Sequence, residues 1–147
     1  MFFLDTNVLV YTRDTSCPDK ASRAATVIEE LSAIEEAAVS TQVLAEYLWV
    51  VTRRIPQPLS LSAAINEVQR FQRLLTVVSS SIDIFNLALD LMATHRMTIW
   101  DAQIAAAASS CGASVVLTED IQSQPIIHGV RYVNPFAADF DWHDYAS

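Results

Sequence analysis

Phe2-Phe3-Leu4-Asp5-Thr6-Asn7-Val8-Leu9 decides how the rest of the chain is read. An apolar run halted by an acid, a hydroxyl and an amide marks a buried strand ending in a turn or a helix start. The first acid of the chain then stands at the carboxyl end of a strand. Further along, the same alternation of apolar run and polar stop returns. Ala37-Ala38-Val39 is followed by Ser40 and Thr41, and Thr76-Val77-Val78 by Ser79 to Ser81. Ser114 to Leu117 is stopped by Thr118-Glu119-Asp120, and Arg131-Tyr132-Val133 by Asn134-Pro135.

Helical spacing fills the gaps between these runs. Pro18 and Asp19 open a segment to about Glu36 in which Ala24, Val27, Ile28, Leu31 and Ile34 recur on one face. Ser40 and Thr41 offer hydroxyl caps to a helix reaching about Arg54. Pro56 and Pro58 interrupt, and Leu61 to Leu75 resumes with Ile65, Val68, Phe71, Leu74 and Leu75. The next helix is expected to turn Ile82, Phe85, Leu89 and Met92 inward, and another runs from near Thr98 to just before Gly112, a C′ glycine. Strands separated by helices of this length pair in parallel through crossovers. The expected fold class is therefore α/β, a three-layer α/β/α sandwich with a central, mainly parallel sheet, in a single domain over 1–147.

Composition agrees with that reading and narrows function. A chain of 147 residues, 52% hydrophobic and with 2 glycines, suits one helix-rich, well-buried domain. The net charge of −8 gives no global field toward nucleic acid phosphates, so any such binding must be local. Cys17 and Cys111 lack metal-ligand spacing and are expected as reduced thiols in a cytoplasmic setting, and Met1 to Asp5 does not read as a targeting peptide. The charge-free stretch from Ala102 to Thr118 is too short and polar for a membrane span. His95, His128 and His143 share no ligand spacing, which argues against zinc or a histidine base. Asp139, Asp141 and Asp144 fall in a terminal segment with Phe140, Trp142 and Tyr145, which could dock on the body or a partner, although a frayed, solvated segment is the expectation.

Ligands of parallel sheets bind outside the carboxyl ends of the strands, which selects the acids to consider. Asp5 and Asp120 each follow a strand, Glu46 lies early in a helix that follows another, and Asp101 opens a further helix. Carboxylates brought together there repel unless a hard divalent cation, Mg²⁺ or Mn²⁺, sits among them. Each acid also has a structural reading. Thr98-Ile99-Trp100-Asp101 matches a capping box, and Asp is common wherever a strand turns into a helix. Glu46 sits between Val43, Leu44, Tyr47 and Leu48, where a carboxylate needs a partner or a metal. Arg53, on the same face, is about 10 Å further along the axis, too far for a direct pair unless both side chains stretch, and a partner elsewhere remains open.

The joint pattern resembles the PIN-domain ribonucleases, in particular the VapC-type toxins of toxin-antitoxin pairs. Phe3-Leu4-Asp5-Thr6-Asn7-Val8-Leu9 resembles the opening strand and first acid of that family. Glu46 within Ser40-Thr41-Gln42-Val43-Leu44-Ala45-Glu46 is similar to its second acid, and Trp100-Asp101-Ala102 before an alanine-rich helix to its third. Leu117-Thr118-Glu119-Asp120 resembles the closing motif, and Gly129-Val130 through Asn134-Pro135-Phe136 the last strand and its exit.

The resemblance implies Mg²⁺-dependent hydrolysis of RNA phosphodiesters, with Mn²⁺ able to take the metal's place. Asp5 and Asp101 would be direct ligands, Glu46 and Asp120 ligands through water or the group orienting the nucleophile, and Thr6, Asn7 and Thr118 their supports. It further implies a small antitoxin over the acidic pocket and a homodimer. Arg13 and Arg53 could contact an RNA backbone, but a solvated or salt-bridged surface arginine is the preferred reading of each, and neither is counted in the site.

Two other readings stand beside this one. An aspartate-based phosphohydrolase or phosphoacceptor also uses acids at strand ends, but Asn7 stands where haloacid dehalogenase-like phosphatases place a second Asp, and no lysine follows a late strand. A non-catalytic PIN-like binding module would keep the fold without the chemistry, and the intact set of acids argues against it.

Overall fold

The computed structural model describes residues 1–120 and 126–146. In chain order its elements are β1 (Phe2–Leu4), α1 (Thr6–Tyr11), α2 (Pro18–Ala33), β2 (Ala37–Ser40), α3 (Thr41–Val51), α4 (Leu61–Leu74) and β3 (Thr76–Val78). Then follow α5 (Ile82–His95), α6 (Ile99–Ser110), β4 (Val115–Leu117), β5 (Ile126–Ile127), β6 (Val130–Val133) and a 3₁₀ turn, Trp142–Tyr145. The strands form one six-stranded sheet in the order β3-β2-β1-β4-β6-β5. All pairings are parallel except β5 with β6.

β1, β2 and β4 are apolar and buried on both sides, as strands covered by helices on two faces must be. From β1 the chain steps outward to β2 and β3, then crosses back to β4 on the other flank of β1. Right-handed crossovers put α1 to α4 on one face and α5 and α6 on the other. The contacts agree, since α6 packs on β2, β4 and β6 and carries α5 on its outside, whereas α1 meets α2 and α3. The β1/β4 seam, where the direction of winding reverses, is the switch point of the sheet. The expected three-layer, mainly parallel architecture is present.

Local chemistry explains the boundaries. Ser40, Ser60, Ser81 and Thr98 each cap a helix by accepting from the backbone N–H three residues on. Gly112 follows the last turn of α6 with φ 74°, the left-handed conformation that a C′ glycine supplies. His128 and Gly129, with φ 49° and 79°, form the two-residue turn of the β5/β6 hairpin, in the positive-φ geometry that matches strand twist. α6 is buried over Ala102 and Ile104 to Ala108, and its methyl-sized side chains let it lie close against the sheet on one side and α5 on the other. Among the described residues no helix is long and apolar enough to cross a membrane.

Several sequence expectations need correction. α5 does not turn Ile82, Phe85 and Leu89 inward: they are 69%, 42% and 45% exposed, and the buried positions are Ala88 and Leu91. Apolar residues occupy more than one face of that helix, so spacing alone picks the wrong stripe, and the small Ala88 is what fits against the alanines of α6. In α4, Ile65 and Leu74 are likewise exposed while Ala64 and Phe71 are buried. Ile34 lies beyond the end of α2, where the chain turns away from the core toward β2, and is exposed.

The terminal segment also differs from the frayed tail expected. Arg23 donates from Nε to the carbonyl of Pro135 at 3.1 Å and from Nη2 to that of Phe140 at 2.7 Å. Trp142 bonds Glu30 at 2.8 Å and meets the Phe2 ring edge-on at 6.3 Å. An arginine on α2 thus gathers the carbonyls of a loop that would otherwise have no partners. Arg23→Ala is expected to destabilise the protein by about 2 kcal/mol, the scale for losing charge-assisted bonds to partly buried acceptors. Limited proteolysis should then cut the segment beyond Asn134 before the body of the domain, and an unchanged digestion pattern would refute the clamp.

Candidate active site

Asp5 is placed by the sheet itself. Its backbone N–H bonds the Leu117 carbonyl at 3.0 Å, continuing the β1/β4 pairing by one residue, and its carboxylate caps α1 by accepting from the Thr6 N–H at 2.6 Å. The other oxygen accepts from the Thr118 hydroxyl at 2.7 Å, and Thr118 is held in turn by its N–H to the Val133 carbonyl at 3.0 Å. Three neighbouring strands, β1, β4 and β6, therefore fix one carboxylate and the hydroxyl that serves it.

Asn7 ties this pair to the closing segment. Its Nδ2 lies 3.3 Å from Asp5 Oδ2, 3.1 Å from Thr118 Oγ1 and 3.3 Å from Asp120 Oδ2, while its Oδ1 accepts from the Glu119 N–H at 3.3 Å. The Asp120 N–H donates to Thr118 Oγ1 at 3.0 Å. Glu119 points the other way, to the Lys20 ammonium and the Tyr11 hydroxyl, and Lys20 holds its carboxyl below the usual carboxylate range. That contact anchors the segment between two residues that face the site.

Glu46 arrives from α3. Its Oε2 accepts from the Thr6 hydroxyl at 3.1 Å and its Oε1 from Gln42 Nε2 at 2.6 Å. The partner left open by the sequence is thus a hydroxyl and an amide rather than an arginine. Arg13 pairs with Glu67 at 2.5 Å, and Arg53 donates to the Thr52 hydroxyl at 2.9 Å. Asp101 keeps the capping role its motif suggested, accepting from the Thr98 hydroxyl at 2.8 Å while its own N–H donates back at 3.2 Å. Gln42 spans from Glu46 to the carbonyl of the preceding residue, Trp100, 3.5 Å away, and no hydrogen bond among the described residues links the Asp101 side chain to the other acids.

Electrostatics records how near the acids are. Burial pushes the Asp5 carboxyl up to about 6, the bonds from Thr118 and Thr6 pull against this, and the charges of Glu46 and Asp120 push further up. Tyr132 on β6 is raised by burial and by the charges of Asp5 and Asp101, and its buried hydroxyl has no hydrogen-bond partner among the described residues. Gln42 and Tyr132 are the members that sequence reasoning missed. A tyrosine in the middle of a buried strand, where Val or Ile would serve, was the available signal. As the side chains stand, no three acidic, histidine or cysteine groups among the described residues lie together in the manner of a metal site. Asp5, Glu46 and Asp120 meet instead through Thr6, Asn7 and Thr118.

A sequence model of the PIN domain matches residues 2–124. The chain belongs to the PIN-domain family. Solved structures of similar fold include VapBC2 of Rickettsia felis bound to a DNA fragment from its promoter, at TM-score 0.67 and 21% identity, covering 90% of this chain and 97% of that one. A toxin-antitoxin complex of Klebsiella pneumoniae follows at 0.65 and 18%, covering 92% and 98%. VapC20 of Mycobacterium tuberculosis, a toxin that cleaves the sarcin-ricin loop, gives 0.62 and 18%, covering 89% and 99%. Likeness at these identities is a likeness of fold. No curated protein matches the chain. As a PIN domain, the chain carries its acids at the sheet edge where the switch point already directs attention.

Proposed function

We propose that this PIN domain is a metal-dependent endoribonuclease, the toxin of a toxin-antitoxin pair. The observation that carries the reading is the gathering of Asp5, Glu46 and Asp120 around Thr6, Asn7 and Thr118 at the switch point, with the Asp5 carboxyl pushed up to about 6. A carboxylate raised by burial and by the charges of its neighbours, as Asp5 is, favours a cation beside it.

The donor set suits a hard divalent ion. It consists of carboxylate oxygens, and the unpartnered Tyr132 hydroxyl beside Asp5 and Asp101 is a group that water around such an ion can satisfy. Asp5 and Asp101 would hold Mg²⁺, or Mn²⁺ in its place, with Glu46 and Asp120 acting through water. When bound, the ion supplies a water of lowered pKa and neutralises charge on the scissile phosphate. The protein's own contribution is positioning. Thr118 and the Thr6 N–H fix the rotamer of Asp5, Asn7 keeps Asp120 within reach of it, and Gln42 orients Glu46. Neutral donors around each acid also keep the cluster intact while it is free of metal.

A toxin of this kind works against a small antitoxin, and the acid edge suits a basic side chain of such a partner. The solved VapBC complexes of the same fold support that part of the reading. Homodimerisation belongs to it too, and the exposed Ile82, Phe85 and Leu89 of α5 offer an apolar surface for the contact. The test is cleavage of a panel of structured RNAs by the purified protein with Mg²⁺, Mn²⁺ or EDTA, beside an Asp5→Asn, Asp101→Asn double variant. Cutting that needs metal and is lost in the variant is the expected result. Equal inactivity of both proteins, with no calorimetric metal binding to either, would overturn the enzyme and leave a binding module.

A further inference from the structure

A second feature adjoins the acids. Gln42, Ala45, Glu46, Trp49, Val50 and Trp100 line an open cleft of about 590 Å³, within the roughly 300–1,000 Å³ range of ligand clefts. Its walls are apolar apart from Gln42 and Glu46, and its two indoles come from different helices, Trp49 from α3 and Trp100 from the first turn of α6. Both indoles are exposed, at 48% and 60%. Burial of either would be the default for so large an apolar group, so their exposure in pairs asks for an occupant.

The position of the cleft and the charge at its rim identify that occupant. Glu46 belongs both to the cleft and to the acid cluster, and Trp100 immediately precedes Asp101, so whatever lies between the indoles lies next to the proposed site of hydrolysis. The guanidinium groups of Arg53 and Arg54 sit 6.0 Å and 5.0 Å from the centre of the Trp49 ring, and neither forms an ion pair among the described residues. In a chain of net charge −8, two free arginines beside an exposed indole make a local positive rim. With the two guanidinium groups over one side of the Trp49 ring and the Glu46 carboxylate at the inner end, the cleft fits an unpaired base stacked on the indoles, with its phosphates toward the arginines. A base held inside a duplex has no free faces for the indoles.

We infer that the Trp49/Trp100 cleft is a stacking subsite for an unpaired nucleotide flanking the bond to be cut, with Arg53 and Arg54 on its phosphates. The inference rests on the nuclease reading and adds the residues of this chain that would grip the nucleotide beside the bond. Trp49 and Trp100 are substrate-binding residues in this view, and the acids keep the roles given above.

The test is fluorescence anisotropy in EDTA, so that binding is read without cleavage. The probe is a labelled mixed-sequence RNA too short to fold on itself, compared with the same strand annealed to its complement. The single strand should bind more tightly. Trp49→Ala and Trp100→Ala should each weaken it about tenfold, and Trp49→Phe should retain most of the affinity. Arg53→Ala and Arg54→Ala should each lower the slope of log affinity against log salt by about 0.7. Circular dichroism shows that each variant is folded, and sedimentation gives its oligomeric state.

If folded Trp49→Ala and Trp100→Ala bind and cleave RNA as the wild type does, the subsite is refuted while the nuclease stands. If both variants instead turn a dimer into a monomer with RNA affinity unchanged, the cleft is a seam between copies and the inference is equally refuted. If the wild type cleaves nothing yet binds single strands through its indoles, the subsite stands and the nuclease reading falls.

Discussion

Asp5→Asn is expected to make the metal-free protein more stable at about pH 7.5, by about 2 kcal/mol, while removing nuclease activity. The folded protein raises the Asp5 carboxyl from 3.8 to about 6, which corresponds to about 3 kcal/mol against the ionised form. Because the folded value lies above the unfolded one, the stabilising contribution is complete below about 3.8 and is lost as pH rises through about 6. Asparagine removes that loss but spoils one bond, since with its oxygen turned to Thr118 and Asn7 its amide faces the Thr6 N–H, at about 1 kcal/mol. The remaining gain should raise Tm by roughly 4–8 °C in a domain of this size. At about pH 3.5, where only the spoiled bond remains, the variant should melt about 2–4 °C below the wild type. Mg²⁺ should stabilise the wild type and not the variant. A variant less stable than wild type at neutral pH would mean that Asp5 is held by its hydrogen bonds more strongly than burial opposes it.

Asn7→Ala is expected to weaken metal binding and cleavage by about 10–100-fold with little change of fold. One amide here serves Asp5, Thr118 and Asp120 and accepts from the Glu119 N–H, so its loss leaves Glu119 and Asp120 tied to Asp5 only by way of Leu117 and Thr118. Two carboxylates then face each other with no donor between them. Calorimetry with Mn²⁺ reads the affinity and RNA cleavage reads the rate, and Asn7→Asp should be worse than alanine because it adds a further negative charge. Unchanged metal affinity in Asn7→Ala would show that the closing segment is positioned by Lys20 and Tyr11 through Glu119 alone.

The strands were legible because each apolar run is short, continuous and ended by residues that cap. Phe2–Leu4, Ala37–Ser40 and Val115–Leu117 all have that form, and parallel pairing follows from the length of what lies between them. Which face of a helix turns inward was less so. α5 carries Ile82, Ile84, Phe85, Leu87, Leu89 and Leu91, enough apolar residues to define more than one stripe, and the choice among them is made by α6. The short strand β5 was not anticipated, because a two-residue strand has no periodicity to detect.

Of the acids expected from sequence spacing, the topology brings Asp5, Glu46 and Asp120 to one edge, while Asp101 meets Thr98 at the start of α6. The side chains that connect them were only partly legible. Thr6, Asn7 and Thr118 flank acids and so declared themselves. Gln42 was hidden because its partner Glu46 is one helical turn away, a spacing that many solvated glutamines share. The aromatic residues of the terminal segment allowed for its docking, but not for its anchor, because Arg23 lies more than a hundred residues earlier and no local pattern encodes its role.

The alanines of α6 set a dimension as well as a packing. Asp101 rides at one end of a rod whose distance from the sheet is fixed by methyl groups at Ala102, Ala105, Ala106 and Ala108. Asp5 is fixed to the sheet itself. The gap between these two carboxylates is thus gauged from inside the molecule, several residues from either acid. A larger side chain on that inner face would lift the rod and open the gap without touching a single polar group, so the spacing of the two carboxylates proposed to hold a cation would change through core substitutions alone.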